Sequence, residues 1–192
     1  MSFNEKTISS EIKYKGKILN LRVDTVKSVN GESTREIVEH SGGAVVLPLL
    51  PNKNVVMIRQ FRKPIERDVL EIPAGKIGQG ESPEKTAFRE LREETGYVAK
   101  NMTLLTKMYP SVGYSEELLY IYLATDLLPG ETDFDENEDI DSYSYHIDDL
   151  YDMVMEGKIQ DAKTQVAILM TVELLRSGKI KLDSGVNNES VY

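Results

Sequence analysis

The longest apolar run extends from Ala44 to Leu50 and is broken only by Pro48. A run this short, apolar at both odd and even positions, predicts a strand buried on both faces. Gly42-Gly43 precedes it, Pro51-Asn52-Lys53-Asn54 predicts a turn after it, and Val55 to Phe61 predicts the next strand. Upstream, Ile18, Leu21, Val23, Val26 and Val29 are spaced irregularly and read as extended segments, with Asn30-Gly31 as a two-residue hairpin signal. Arg35 to His40 reads as a half-exposed strand. Leu70 to Gly75 is a short strand ending in a glycine loop. Ser82 is a good N-cap, Pro83 suits the first helical position, and Gly96 stops a helix that ends near Glu94. Residues 102–109 and 117–124 predict two more strands, and 129–141 an acidic loop. A short strand at Tyr143 to Ile147 is followed by helices at about 148–156 and 162–176, the second capped by Asp161. Strands then helices without strict alternation indicate an α/β fold with a mixed sheet between helical layers. Residues 184–192 read as a frayed tail.

Composition narrows this picture. The 192 residues suit one domain with a sizeable core. No apolar run approaches the ~18 residues that span a bilayer, so no membrane partner is expected. The polar, acidic N-terminus lacks the basic-then-apolar pattern of a signal peptide. The chain has no cysteine, which excludes disulfides, thiolate metal sites and a cysteine nucleophile and fits a cytoplasmic protein. The net charge of -9 repels polyanions, so no nucleic-acid partner is expected. A small anionic substrate remains compatible where a divalent cation or a few arginines neutralise it.

The chemistry concentrates on the helix after Ser82. Glu90, Glu93 and Glu94 stand at i, i+3 and i+4, on one face beside the apolar stripe of Ala87, Phe88 and Leu91. Three crowded carboxylates repel one another, and a bound cation is the natural compensation. Oxygen-only ligands favour Mg²⁺, Mn²⁺ or Ca²⁺. Taken alone, such a helix is more often a solvated face laced with ion pairs, and Arg89 with Glu93 is an i, i+4 pair.

The wider spacing changes that balance. Gly75, Glu81, Arg89, Glu90, Leu91, Glu93, Glu94, Gly96 and Tyr97 match the Nudix box, G-x5-E-x7-R-E-U-x-E-E-x-G-U, without a gap. Chance would produce the fixed residues roughly once in 10⁸ start positions. The chain therefore resembles the Nudix hydrolases. The resemblance implies an α/β/α sandwich with the box as loop–helix–loop, here preceded by an N-terminal antiparallel strand segment. It implies Glu90, Glu93, Glu94 and the backbone carbonyl of Ala74 as metal ligands, Mg²⁺ as cofactor with Mn²⁺ as a substitute, and Arg89 as the residue that orients the glutamates. Glu81 would brace the motif.

More of the chain resembles the ADP-ribose pyrophosphatase branch of that family. Thr34 to His40 is similar to its R-E-I-x-E-H strand. Gln60-Phe61-Arg62 with Glu71-Ile72-Pro73-Ala74-Gly75 is similar to its Q-[FY]-R … E-[IL]-P-A-G pattern. Residues 135–139 are similar to its acidic loop. The likeness implies Glu136 as general base, Glu138 as a further metal contact, and Glu93 and Arg89 in the catalytic set. It implies Arg35, Glu36, Arg62 and Glu117 as substrate contacts. The loop Tyr109 to Glu117 departs at one point: Val112 stands where the branch has proline, and a proline stands instead at Pro110. The expected organisation is a dimer-forming β segment at 1–40, the hydrolase domain at 41–183 and the tail at 184–192. The expected activity is Mg²⁺-dependent hydrolysis of ADP-ribose, a small-molecule nucleotide, to AMP and ribose 5-phosphate by a homodimer. The alternatives are the same chemistry on another nucleoside diphosphate sugar, a module that senses ADP-ribose without cleaving it, and housecleaning of oxidised nucleoside triphosphates. His40 and His146 are expected to be structural or solvent-exposed.

Overall fold

The chain runs through β1 (Lys6–Lys15), β2 (Asn20–Ser28), β3 (Gly31–Glu39), β4 (Gly43–Pro48), β5 (Asn54–Arg62), β6 (Arg67–Glu71) and β7 (Ala74–Lys76) before its first long helix. That helix, α1 (Pro83–Thr95), is followed by β8 (Tyr97–Met108), β9 (Leu119–Pro129), β10 (Ile140–His146), α2 (Ile147–Met155) and α3 (Ala162–Arg176). The structure is a computed structural model that describes residues 4–133 and 140–182.

The central sheet has the order β7-β4-β9-β8. It is mixed: β4 runs parallel to β9, while β7 and β8 are antiparallel to their neighbours. All six residues of β4 are buried, as a strand covered on both faces requires. Its alternation divides them between two cores. Val45 and Leu47 pack with Ile121, Leu123, Leu150 and Ile168, under α2 and α3. Ala44 and Val46 pack with Ala87, Leu91, Ala99 and Ala124, under α1. This is the expected α/β/α sandwich. Four of the seven buried residues of the second core are alanine, and Tyr122 is the largest of the others. The helix that carries the acids is seated on the sheet's most buried strand, and α1 contacts β4, β7 and β8. Burying Leu91 alone contributes about 1.5–3 kcal/mol.

Two antiparallel sheets complete the fold, β10-β5-β6 and β1-β2-β3. β5 supplies Val55 and Met57 to the core beneath α2 and α3. The N-terminal sheet touches the rest through a few polar links. Val38 N donates to Tyr114 O at 2.7 Å and Glu116 N to Val38 O at 2.9 Å, forming a parallel bridge between β3 and the 109–118 loop.

Several elements differ from their expected bounds. β8 begins at Tyr97, five residues earlier than the alternation indicates, because β9 also runs on to Pro129 and pairs with it there. β10 begins at Ile140, not Tyr143, where it pairs with Gln60. The β2–β3 hairpin turns on Val29-Asn30, one residue earlier than Asn30-Gly31. Gly31 pairs with Ser28 at φ +116°, a conformation open to glycine.

Candidate active site

α1 is capped as its sequence indicates. Ser82 Oγ accepts from Lys85 N at 3.3 Å, and Gly96, at φ +72°, donates its N–H to Arg92 O at 2.8 Å. Between these ends the i, i+4 pair Glu90 and Glu94 faces inward and both are buried, while Glu93 is half-buried. Glu94, only 2% exposed, accepts from Ala74 N at 3.0 Å through Oε2. Glu90 lies against Gly75, the next residue of β7. A Cβ added to Gly75 would sit 1.8 Å from Glu90 Oε1. The first glycine of the box is therefore glycine because the Glu90 carboxylate occupies the place of its side chain.

Arg89 links the acids. Its Nη1 lies 2.7 Å from Glu90 Oε1 and donates to Glu93 Oε2 at 2.8 Å, while its Nε donates to Glu81 Oε1 at 3.3 Å. Burial opposes the guanidinium charge, but Glu81, Glu93 and Glu90 together raise its pKa above the ordinary arginine value. Arg89, followed by Thr86, holds the Glu81 carboxyl below the usual carboxylate range. Glu81 also accepts from Thr86 Oγ1 at 2.8 Å and Gly78 N at 3.3 Å, which closes the loop before the helix. The crowded carboxylates thus have a protein counter-cation, so a metal is not the sole means of offsetting their repulsion. Among the described residues, no three acidic or histidine side chains are already gathered as a cation cage. The donor set is nonetheless oxygen-only, buried on one side and tied to the backbone of Ala74 through its N–H. It suits a hard divalent cation that shares its shell with phosphate oxygens rather than one held by protein alone.

Beside these acids lies a cavity of about 340 Å³, within the range of small-molecule sites. Ala74 and Gly75 form one part of its wall. His40, Arg62, Lys76, Glu117, Asp161 and Lys163 supply its charged and polar side chains. The expected substrate contacts Arg62 and Glu117 therefore come together with the box. Arg62 Nε donates to Glu71 Oε1 at 2.7 Å. Burial lowers its pKa, and Glu71, with the fields of Glu94 and Asp161, more than offsets this, so the net shift is upward.

Arg35 and Glu36 lie elsewhere. Both are on β3, neither lines the cavity, and Arg35 Nε donates to Glu5 Oε2 at 2.8 Å. Glu136 and Glu138 fall outside the described residues. In the departing loop Val112 is exposed, and Tyr114 is too. His146 caps α2 by accepting from Asp148 N at 3.3 Å, a structural role. His40 lines the cavity while its Nδ1 accepts from Gly42 N at 3.1 Å.

Glu71, although part of the E-[IL]-P-A-G pattern, and Lys163 carry no site role in the sequence, and Asp161 reads there only as a helix cap. One local signal was available. Lys163 stands in the first turn of α3, where the helix dipole disfavours a cation. A lysine there needs partners from elsewhere in the fold.

Residues 40–166 match the model of the NUDIX domain. The chain is 42% identical over 183 residues to an ADP-ribose pyrophosphatase of Bacillus subtilis, covering 93% of this chain and 99% of that one. It is 40% identical over 169 residues to a methanol dehydrogenase activator of Bacillus methanolicus, covering 86% and 91%. Among solved structures, an ADP compounds hydrolase superposes with a TM-score of 0.81 at 22% identity, covering 93% of this chain and 98% of that chain, which shows the shared fold. With its box seated on β4 and bordering a largely apolar cavity edged by Arg62, Glu117 and Lys163, this chain belongs to the Nudix family.

Proposed function

We propose that the protein hydrolyses the pyrophosphate bond of ADP-ribose to AMP and ribose 5-phosphate, with Mg²⁺ as its cation and Mn²⁺ as a substitute. The observation that carries this reading is the intact box of Glu90, Glu93 and Glu94 beside a cavity lined by Arg62 and Glu117, in a chain similar over nearly its full length to a pyrophosphatase of that substrate. Glu90, Glu93, Glu94 and the Ala74 carbonyl would hold the cation, and Glu138 would add a contact. When bound, the cation neutralises phosphate charge and makes nearby water more acidic. Glu136 takes a proton from the attacking water. The water oxygen bonds to one phosphorus, the bridging P–O bond breaks, and the other phosphate departs. Arg89 holds Glu90 and Glu93 in place, and Arg62 pairs with phosphate oxygens through a planar fork.

Arg35 and Glu36 contact substrate only if they serve a second copy, since neither lines the cavity of its own chain. The homodimer, formed through residues 1–40 with residues 41–183 as the catalytic unit, and the binding role of these two residues therefore stand together.

The test is turnover of ADP-ribose and a panel of other nucleoside diphosphate sugars with Mg²⁺, with products identified by chromatography. AMP and ribose 5-phosphate should appear, with ADP-ribose giving the highest kcat/KM. Tight binding without turnover would establish a sensing module instead. Glu136→Gln should lower turnover by about 10²–10⁴-fold while leaving the melting temperature unchanged. Full activity in that variant would remove Glu136 as the base.

A further inference from the structure

Glu71 ends β6 and is only 1% exposed. Its two carboxylate oxygens are divided between two cations from different elements. Oε1 accepts from Arg62 at the end of β5, and Oε2 accepts from Lys163 in the first turn of α3 at 2.5 Å. Asp161 Oδ2 lies 3.0 Å from the same ammonium and also accepts from Thr164 N at 3.1 Å, so the cap of α3 and the lysine share one carboxylate. Arg62, Lys163 and Asp161 all line the cavity that adjoins the box, whereas Glu71 lines only a second cavity whose wall the same three residues share.

Stability alone does not account for this arrangement. A buried ion pair offsets its desolvation cost only narrowly, and apolar groups of the same volume serve a core as well or better. The lysine also stands where the dipole of α3 opposes it. Donors remain for a ligand. Among the described residues the Nη nitrogens of Arg62 bond no protein group, and Lys163 bonds two carboxylates with three ammonium protons.

We infer that Lys163 binds a phosphate of the substrate alongside Arg62, and that Glu71 is the positioning residue that holds both cations at the cavity wall. This rests on the pyrophosphatase reading above. The geometry makes a two-pronged anion clamp of one guanidinium and one ammonium, set by a carboxylate that does not touch the ligand. It lines the same cavity as Ala74 and Gly75, so the clamp and the first residues of the box border one space.

The experiment compares wild type, Lys163→Met, Lys163→Arg and Glu71→Gln. It reads KM and kcat for ADP-ribose with Mg²⁺, melting temperature, and calorimetric binding of AMP and of ribose 5-phosphate without metal. Lys163→Met should raise KM about 10–100-fold, the size of one charge-assisted hydrogen bond, with kcat changed less than about threefold. Lys163→Arg should recover most of that loss, because it keeps the charge. Glu71→Gln should raise KM, and the double variant with Lys163→Met should lose less than the two single effects combined. Wild-type KM with only a lower melting temperature in Lys163→Met would make the pair purely structural and overturn the inference. Should Lys163→Met not fold, Lys163→Gln carries the same expectation. If wild type does not hydrolyse ADP-ribose, the functional reading fails by itself. The clamp is then decided by product binding alone, where Lys163→Met must weaken AMP or ribose 5-phosphate at least tenfold.

Discussion

Every residue of β1 is exposed, and every residue of β4 is buried. The two strands belong to sheets that solve the same hydrogen-bonding problem with different surroundings. β4 has partners on both edges and helices on both faces, so its alternating residues serve two cores. The N-terminal sheet has no such cover. Ile8, Ile12, Tyr14 and Ile18 are 52%, 48%, 59% and 67% exposed, and its ties to the rest are mainly polar, such as Arg22 Nη2 to Glu116 Oε1 at 3.0 Å. A three-stranded sheet needs a packed face for independent stability. The difference shows that burial, not strand pairing, separates the scaffold of the site from the segment we assign to dimerisation.

The largest effect is expected where burial is deepest. Leu91→Ala should cost about 2–5 kcal/mol in urea unfolding, since α1 packs closely on the sheet there. A loss below about 1 kcal/mol would mean that the alanine-rich core is less tightly closed than its contacts indicate. Next, Gly75→Ala places a methyl group where the Glu90 carboxylate lies. Turnover should fall at least ~10²-fold from displacement of a single catalytic group, with little change in melting temperature because Glu90 moves at its flexible end. Equal losses of activity and stability would show β7, not the carboxylate, to be what shifts.

On the other side of the comparison, Ile12→Glu should shift the assembly to monomer in sedimentation velocity while changing the unfolding free energy of the monomer by no more than about 0.5 kcal/mol. An unaltered dimer, or a wild type that is already monomeric, would break the assignment of the N-terminal sheet. The smallest effect concerns Glu39. Bonds from Asn20 and then Arg22 hold its carboxyl below the usual carboxylate range. A depressed folded pKa contributes stability that is present above the unfolded value of about 4.3 and lost as pH falls through the folded value. Unfolding titrations between pH 7 and 3 should therefore show a weaker acid dependence in Glu39→Gln, confined to the range below about pH 4.3. An identical acid limb would indicate that other carboxylates govern it.

Much of this was legible locally. A helix cap, a run of apolar residues and three acids at i, i+3 and i+4 are statements about neighbours along the chain, and both α1 and β4 formed as their patterns require. The start of β8 was not legible, because Tyr97 and Val98 become strand only by pairing with Pro129 and Leu128. The same limit applied to the site. The sequence by itself determined which helix carries the acids, on which face, and what stops it at each end, since a helical period of 3.6 residues is read from adjacent positions. Only the tertiary structure decided that Glu90 fills the place of a Gly75 side chain, that Arg89 also reaches back to Glu81, and that Glu71 joins Arg62 to Lys163. That last bond spans 92 positions. No local period encodes such a contact: it exists because β5, β6 and α3 converge where a buried carboxylate has to be satisfied by cations.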